Sequence, residues 1–177
     1  NIAYCELGGV KPNPRLSLVN QGISLCQSQN VDLILAVGGG SVIDSAKAIG
    51  LGVANGGDVW DFYSRKREAE RCLPIGVILT LSASGSEMSN SSVITNDEIC
   101  EKRGLSCDLT RPTFAILNPE LTTSVSAYQT ACGGADIFMH TAERYLAAGG
   151  NMVLTDKMSE ALMTTVIAMT KRALLKP

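Results

Sequence analysis

The sequence has few of the residues that most often build metal centres and aromatic cores. Its 177 residues include one histidine, one tryptophan, three phenylalanines and four tyrosines. A structural metal site typically needs three or four ligating groups, and neither a second histidine nor a Cys-x-x-Cys pair is available to supply them. The six cysteines lie scattered between Cys5 and Cys132, several within apolar helical patterns. We therefore expect reduced thiols and a cytoplasmic protein.

Runs of like charge and long apolar segments are also missing. Fifteen basic and seventeen acidic residues are interspersed, giving a formal net charge of -2. Such a balance offers no surface for nucleic acid or an anionic membrane. The apolar stretches stop well short of the roughly 20 residues that span a bilayer, and no basic-then-apolar leader opens the chain. We expect small-molecule partners, with no nucleic-acid partner and no membrane association.

The sequence does contain an alternation of helical and extended apolar patterns, with 45% hydrophobic residues to form one sizeable core. Residues 14–29 have apolar positions at helical spacing. Residues 31–37, "VDLILAV", predict a strand buried on both faces of a parallel sheet, and a helix follows from about Ser41. Residues 75–81 and 114–117 predict further strands. This order indicates an α/β fold with a doubly wound, mostly parallel sheet.

The pattern changes towards the end of the chain. Residues 92–95 and 105–107 flank a polar stretch and predict a hairpin. After Pro119 the remaining apolar periodicity is helical only. We therefore predict an α/β domain at residues 1–125, followed by the start of an all-α domain at residues 126–177.

Two loops that follow predicted strands carry candidate binding residues. Glycines at a strand-to-helix turn allow a ligand to approach the backbone, and the helix N-terminus favours a phosphate. The "GGGSVIDSAK" segment therefore predicts a pyrophosphate site, although it matches neither a Walker A loop nor a GxGxxG fingerprint, and a simple tight turn is the alternative. We call residues 38–42 the glycine turn: Gly38, Gly39, Gly40, Ser41 and Val42. Residues 80–92, "TLSASGSEMSNSS", form a serine loop, which either binds a nucleotide or is simply solvated.

The segment "GGADIFMHTAERYL" places Asp136 four residues before His140, so that both face the same side of a predicted helix. A carboxylate oxygen and an imidazole nitrogen can converge there on one cation. Two ligands do not complete a metal site, and spacing alone favours an ordinary hydrogen-bonded pair.

Taken together, these motifs resemble the iron-containing, type III alcohol dehydrogenase family, and most closely its butanol dehydrogenase-like branch. The resemblance rests on "GGGSVIDSAKAI", "TLSASGSEMS", "FAILNPEL" and "GGADIFMHTAERYL", in that order along nearly the whole chain. The family resemblance implies a dinucleotide-binding sheet followed by an all-α metal-binding domain. The family's first strand precedes the region matching Asn1, and its remaining metal-ligating histidines follow Pro177. We therefore expect the chain to be a fragment that is inactive on its own.

The resemblance also implies a function and a set of site residues. The expected reaction transfers a hydride between a primary alcohol or aldehyde and NAD or NADP, with a divalent metal, iron or zinc, as Lewis acid. Asp136 and His140 match the first two metal ligands, Thr80 and Ser82 would flank the adenosine half of the cofactor, and Lys102 would lie near the cofactor. The glycine turn would bind the pyrophosphate. A homo-oligomer is expected.

Three other interpretations remain open from the sequence. A glycerol dehydrogenase-like enzyme and a dehydroquinate synthase-like lyase combine the same two kinds of domain. A non-catalytic nucleotide-binding fragment is the third. The hydrophobic character of the Asp136 and His140 segment favours the alcohol dehydrogenase branch.

Overall fold

Two separate units make up the chain. The structure is a computed structural model that describes residues 2–147, 149–150 and 152–175. The units are Asn1–Thr122 and Thr123–Pro177, so the division falls after residue 122, whereas the sequence analysis places a boundary after residue 125. Within the described residues, no helix combines the length and apolar character needed to cross a membrane.

The first unit contains three helices and five strands. Its helices are α1 (Leu16–Gln29), α2 (Gly40–Asn55) and the short α3 (Trp60–Tyr63). Its strands are β1 (Ile34–Gly38), β2 (Ile75–Leu79), β3 (Ser91–Asn96), β4 (Glu101–Ser106) and β5 (Phe114–Ile116). Short 3-10 turns occur at Asp108–Thr110 and Pro119–Thr122.

A parallel sheet with the strand order β1-β2-β5 forms the centre of this unit. Ile34 pairs with Ile75, and Gly76 pairs with Phe114. The Phe114 ring lies over Gly76, where a Cβ atom would overlap it. The three predicted strands and the α/β class with a parallel sheet are confirmed, although β1 begins three residues later than the apolar run.

The two faces of β1 differ in exposure. Ala36 is 2% exposed and packs with Ile43 and Ala46 of α2. Leu35 and Val37, which alternate with it, are 47% and 54% exposed. The prediction that β1 is buried on both faces is therefore wrong for the described residues, because α2 covers only the face that carries Ala36.

Strands β3 and β4 form an antiparallel hairpin in which Ser91 pairs with Ser106 and Asn96 with Glu101. The predicted hairpin is confirmed. Its second strand starts at Glu101, earlier than expected, because polar residues assigned to the loop take part in the pairing. The hairpin packs against α2 through the fully buried Ile94.

The main core of the first unit lies between α1, α2, α3 and the hairpin. The Trp60 ring stacks on the Tyr63 ring at a centroid distance of 6.1 Å. Tyr63 is almost fully buried, and its hydroxyl forms a 2.7 Å hydrogen bond with the Ser92 hydroxyl. No sequence pattern predicted α3, which supplies both rings.

The second unit is a pair of helices, α4 (Ala127–Ala147) and α5 (Val153–Leu175). Gly134 lies against Thr170, and the Tyr145 hydroxyl donates a 3.2 Å hydrogen bond to Glu160. Early residues of α4 thus meet late residues of α5, so the helices are antiparallel. The helical periodicity predicted for this part of the chain is confirmed.

Candidate functional site

The glycine turn connects the carboxyl end of β1 to the start of α2. Gly39 precedes the first residue of α2 in an extended conformation, with φ -94° and ψ -168°, and no side chain caps the helix. The Val42 and Ile43 amides donate to the Gly39 carbonyl at 3.0 and 3.2 Å. No hydrogen bond among the described residues occupies the Gly40 and Ser41 amides. These two N–H groups, at the positive end of the helix dipole, suit an anion.

The serine loop begins at the same edge of the sheet, because β1 and β2 are parallel neighbours. The Thr80 amide donates to the Gly38 carbonyl at 3.1 Å. A Cβ atom on Gly39 would lie 3.2 Å from Leu81 Cβ, and one on Gly40 would lie 3.1 Å from Ser84 Cβ. The glycines therefore allow the two loops to approach each other closely, and any side chain at these positions would push them apart.

The structure thus brings together most of the binding residues expected in the first unit. Gly38 and Val42 are in contact, since a Cβ atom on Gly38 would lie 2.5 Å from Val42 Cγ2. Thr80 is half-buried and Ser82 is exposed. Both residues therefore keep accessible surface, which a side chain that contacts a ligand requires. The edge formed by the glycine turn and the start of the serine loop is the candidate dinucleotide site.

Two charged residues of α2 that the sequence analysis did not single out contact the serine loop. Lys47 is fully buried, and its ammonium donates to the carbonyl oxygens of Ser86, Ser89 and Ser91 at 2.8–2.9 Å. Asp44 accepts a 2.6 Å hydrogen bond from the Ser86 hydroxyl. The sequence signal was a pair of charges three residues apart within an otherwise apolar helix, an unusual placement for buried positions.

The environment shifts the pKa values of both residues. Burial lowers the pKa of Lys47 to about 8, against the opposing effect of the negative charges of Asp44 and Glu87. Burial raises the pKa of Asp44, while its hydrogen bonds and the positive charges of Lys47 and Lys102 act in the opposite direction. Three carbonyl oxygens accept hydrogen bonds from the Lys47 Nζ atom, so the protonated ammonium is the form that fits this site.

Lys102 lies on β4, where it pairs with Thr95 in the hairpin. Its ammonium donates to the Asn13 side-chain oxygen at 2.7 Å, in an exposed setting. Its charge contributes to the pKa of Asp44, but neither the glycine turn nor the serine loop contacts it directly through a described hydrogen bond. Asn13 has a positive φ of 58° and was not among the candidate site residues predicted from the sequence.

Asp136 and His140 lie one turn apart on α4, with side chains 65% and 62% exposed. The His140 Nε2 atom is 3.7 Å from Asp136 Oδ1. The two donor atoms therefore share one face, and an oxygen and an imidazole nitrogen together suit a divalent metal such as iron or zinc. Among the described residues, no group of three histidine, cysteine, aspartate or glutamate side chains is arranged to hold a metal ion.

Comparison with known proteins identifies close relatives. The family model described as iron-containing alcohol dehydrogenase matches residues 1–119. NADH-dependent butanol dehydrogenase A of Clostridium acetobutylicum is 47% identical over 176 residues, covering 99% of this chain and 45% of that protein. The probable NADH-dependent butanol dehydrogenase 2 of Bacillus subtilis is 50% identical over 162 residues, covering 92% and 42% of the two chains. The chain thus spans less than half the length of these relatives.

Solved structures show the same similarity. The crystal structure of NADH-dependent butanol dehydrogenase A from Thermotoga maritima matches with a TM-score of 0.89 and 38% identity, covering 97% of this chain and 43% of that one. The structure of YqhD from Escherichia coli K-12 matches with a TM-score of 0.88 and 32% identity, covering 98% and 45%. The family model covers about two thirds of the chain, and on this evidence the chain belongs to the iron-containing alcohol dehydrogenase family.

Proposed function

We propose that this chain supplies the dinucleotide site and the first two metal ligands of an oxidoreductase. The enzyme interconverts a primary alcohol and its aldehyde with NAD(P) as the hydride carrier. The observation that supports this most directly is the convergence of the glycine turn and the serine loop at one edge of a parallel sheet. Ligands of open α/β sheets bind outside the carboxyl ends of the strands.

The residues at this edge suit the parts of a dinucleotide. The Gly40 and Ser41 amides and the N-terminus of α2 would bind the pyrophosphate, with Gly38 and Gly39 leaving room for it. Val42 would close the turn, since its amide is already bonded to Gly39. The hydroxyls of Thr80 and Ser82 would flank the adenosine half.

Three further residues would contribute to cofactor and metal binding. Lys102 would offer a cation to the cofactor. Asp136 and His140 would ligate the divalent metal, iron or zinc, together with groups outside this chain. When bound, that metal supplies a Lewis acid for the alcohol or aldehyde oxygen. A bound NAD(P) would accept the hydride from the alcohol carbon at its nicotinamide C4, and the hydroxyl proton would pass to solvent.

The relatives support the substrate class. Two are named NADH-dependent butanol dehydrogenases, and a third, from Escherichia coli K12, is named an NADPH-dependent aldehyde reductase and is 33% identical over 175 residues. We therefore propose short-chain primary alcohols and aldehydes as substrates and NADH as the preferred carrier. We also propose that the enzyme is a cytoplasmic homo-oligomer.

The test uses the intact protein that carries this chain. Fluorescence titration with NADH and NADPH should give saturable binding that favours NADH. Butyraldehyde reduction should be followed at the nicotinamide absorbance after loading with Fe²⁺ or with Zn²⁺, and sedimentation should report the oligomeric state. Binding of neither dinucleotide would contradict the proposed cofactor site. Binding without any metal-dependent turnover would contradict the proposed reaction.

A further inference from the structure

The strongest unexplained feature of the first unit is the polar cluster formed by Lys47 and Asp44. Lys47 has no exposed surface, and every hydrogen bond of its ammonium goes to the serine loop. Besides three carbonyl oxygens, the Ser86 hydroxyl accepts at 2.9 Å and the Ser89 hydroxyl at 3.4 Å. A lysine is almost never this buried unless its charge is satisfied.

Asp44 holds the other side of the same segment. One carboxylate oxygen accepts from the Ser86 hydroxyl at 2.6 Å, and the other accepts from the Val93 amide at 3.0 Å. Ser86 is therefore bonded by both charged residues, since its own oxygen also accepts from Lys47. These residues bind the far half of the serine loop to α2 at several points between residues 86 and 93.

We propose that Asp44 and Lys47 are positioning residues, which fix the serine loop in the conformation that accepts the dinucleotide. The proposal rests on the proposed function, because the serine loop binds a dinucleotide only if that function is correct. Neither residue is required to touch that cofactor.

The geometry explains why residues of α2 position the serine loop. The N-terminus of α2 forms the glycine turn, and Asp44 and Lys47 lie in its first two turns. The same helix therefore sets the positions of both loops at the sheet edge. A loop already ordered before binding loses less conformational entropy when the ligand arrives, which strengthens affinity.

Removing the ammonium should release the loop rather than unfold the unit. In Lys47→Met, three carbonyl oxygens lose the donor that they share, and the Ser86 carbonyl loses it in a buried position. We expect the loop to turn outward so that these oxygens reach water. The side chains of the main core between α1, α2, α3 and the hairpin make none of these bonds.

The experiment measures hydrogen exchange by mass spectrometry on the intact protein without cofactor. In Lys47→Met, amides of residues 84–93 should exchange at least about tenfold faster than in the wild type, while α4 and α5 keep their protection. The dissociation constant for NADH should rise at least about tenfold. Lys66→Met is the matched control, because Lys66 is 72% exposed and its ion pair is with Asp61, outside the serine loop. It should leave both measurements within about twofold of the wild type.

A milder pair of variants covers the case in which Lys47→Met does not fold. Ser86→Ala removes the hydroxyl shared by both charged residues and should accelerate exchange in the same segment. Ser45→Ala is its control, since Ser45 is a buried serine of the same helix whose hydroxyl donates to the Ser41 carbonyl within the helix. Its exchange and NADH affinity should match the wild type.

The outcomes separate this inference from the proposed function. Unchanged exchange at residues 84–93 in both Lys47→Met and Ser86→Ala overturns the positioning role. So does acceleration spread evenly over the whole first unit. Failure of the wild type to bind NADH and NADPH instead overturns the proposed function, and the exchange comparison still decides whether α2 fixes the loop.

Discussion

Replacing Gly39 with valine should weaken dinucleotide binding by a steric route that the structure defines. Gly39 has φ -94° and ψ -168°, a backbone conformation that valine adopts readily. The substitution therefore introduces no backbone strain. Its effect has to come from the contact with Leu81, the residue of the serine loop that faces this position.

The distances set the size of the effect. A Cβ atom at position 39 would lie 3.2 Å from Leu81 Cβ and 3.4 Å from Leu81 Cδ2. Alanine would need a displacement of a few tenths of an ångström, whereas the two further methyl groups of valine need more. Overpacking of this kind costs about 1–3 kcal/mol. If this steric cost opposes the close approach of the glycine turn and the serine loop that binding requires, the dissociation constant for NADH rises by about 5- to 150-fold.

A double-mutant cycle tests the mechanism. Leu81→Ala removes Cγ and both Cδ atoms from the contact, so the double variant should recover part of the affinity lost in Gly39→Val. Gly8→Val is the control, because no atom lies within 4 Å of its Cβ position. NADH affinity would be measured by fluorescence titration of the intact protein. Unchanged affinity in Gly39→Val, or additive effects of the two substitutions, would refute the reasoning.

Three further predictions concern other parts of the chain. His140→Ala in the intact protein should remove most bound metal, measured by elemental mass spectrometry, with little change in NADH affinity; full metal retention would exclude it as a ligand. In α4, Gly133→Ala should stabilise the helix by about 0.5–1 kcal/mol. Gly134→Ala should destabilise it, because the new methyl group overlaps Thr170 of the facing helix. Equal shifts of the thermal unfolding temperature in the two variants would contradict this prediction. Tyr63→Phe should lower the unfolding free energy by about 1–2 kcal/mol in a denaturant titration, since it leaves the buried Ser92 hydroxyl without this partner, and unchanged stability would show that the bond contributes nothing.

Features that depend on local periodicity could be predicted from the sequence. The apolar runs at β1, β2 and β5 and the helical spacing of α1, α2, α4 and α5 give the element order, because side-chain periodicity reflects which face is buried. The glycine turn was predictable for the same reason. Three glycines between an apolar strand and an amphipathic helix mark the turn, although spacing alone left a simple tight turn as the alternative to a pyrophosphate site.

Features that depend on distant contacts could not be predicted from the sequence. Lys47 and the serine loop are about forty residues apart, and nothing local shows that a lysine in an apolar helix meets three carbonyl groups there. The exposure of Leu35 and Val37 was not predicted. An apolar run shows that its residues favour burial, but it does not show which other elements of the fold cover them. Asp136 and His140 illustrate a third limit, since spacing fixes a shared helix face but not whether a metal occupies it.

The contact between Phe114 and Gly76 also restricts the order in which this sheet can evolve. A side chain at position 76 overlaps the tip of the partly exposed Phe114 ring, so a substitution there forces the ring to shift while the phenylalanine is present. A lineage that first replaces Phe114 with a smaller residue opens a gap that alanine at position 76 would then fill. The two single steps therefore differ in their consequences, because the step at position 76 requires the Phe114 ring to move and the step at position 114 does not. Substitutions at these paired positions of β2 and β5 should consequently be inherited together.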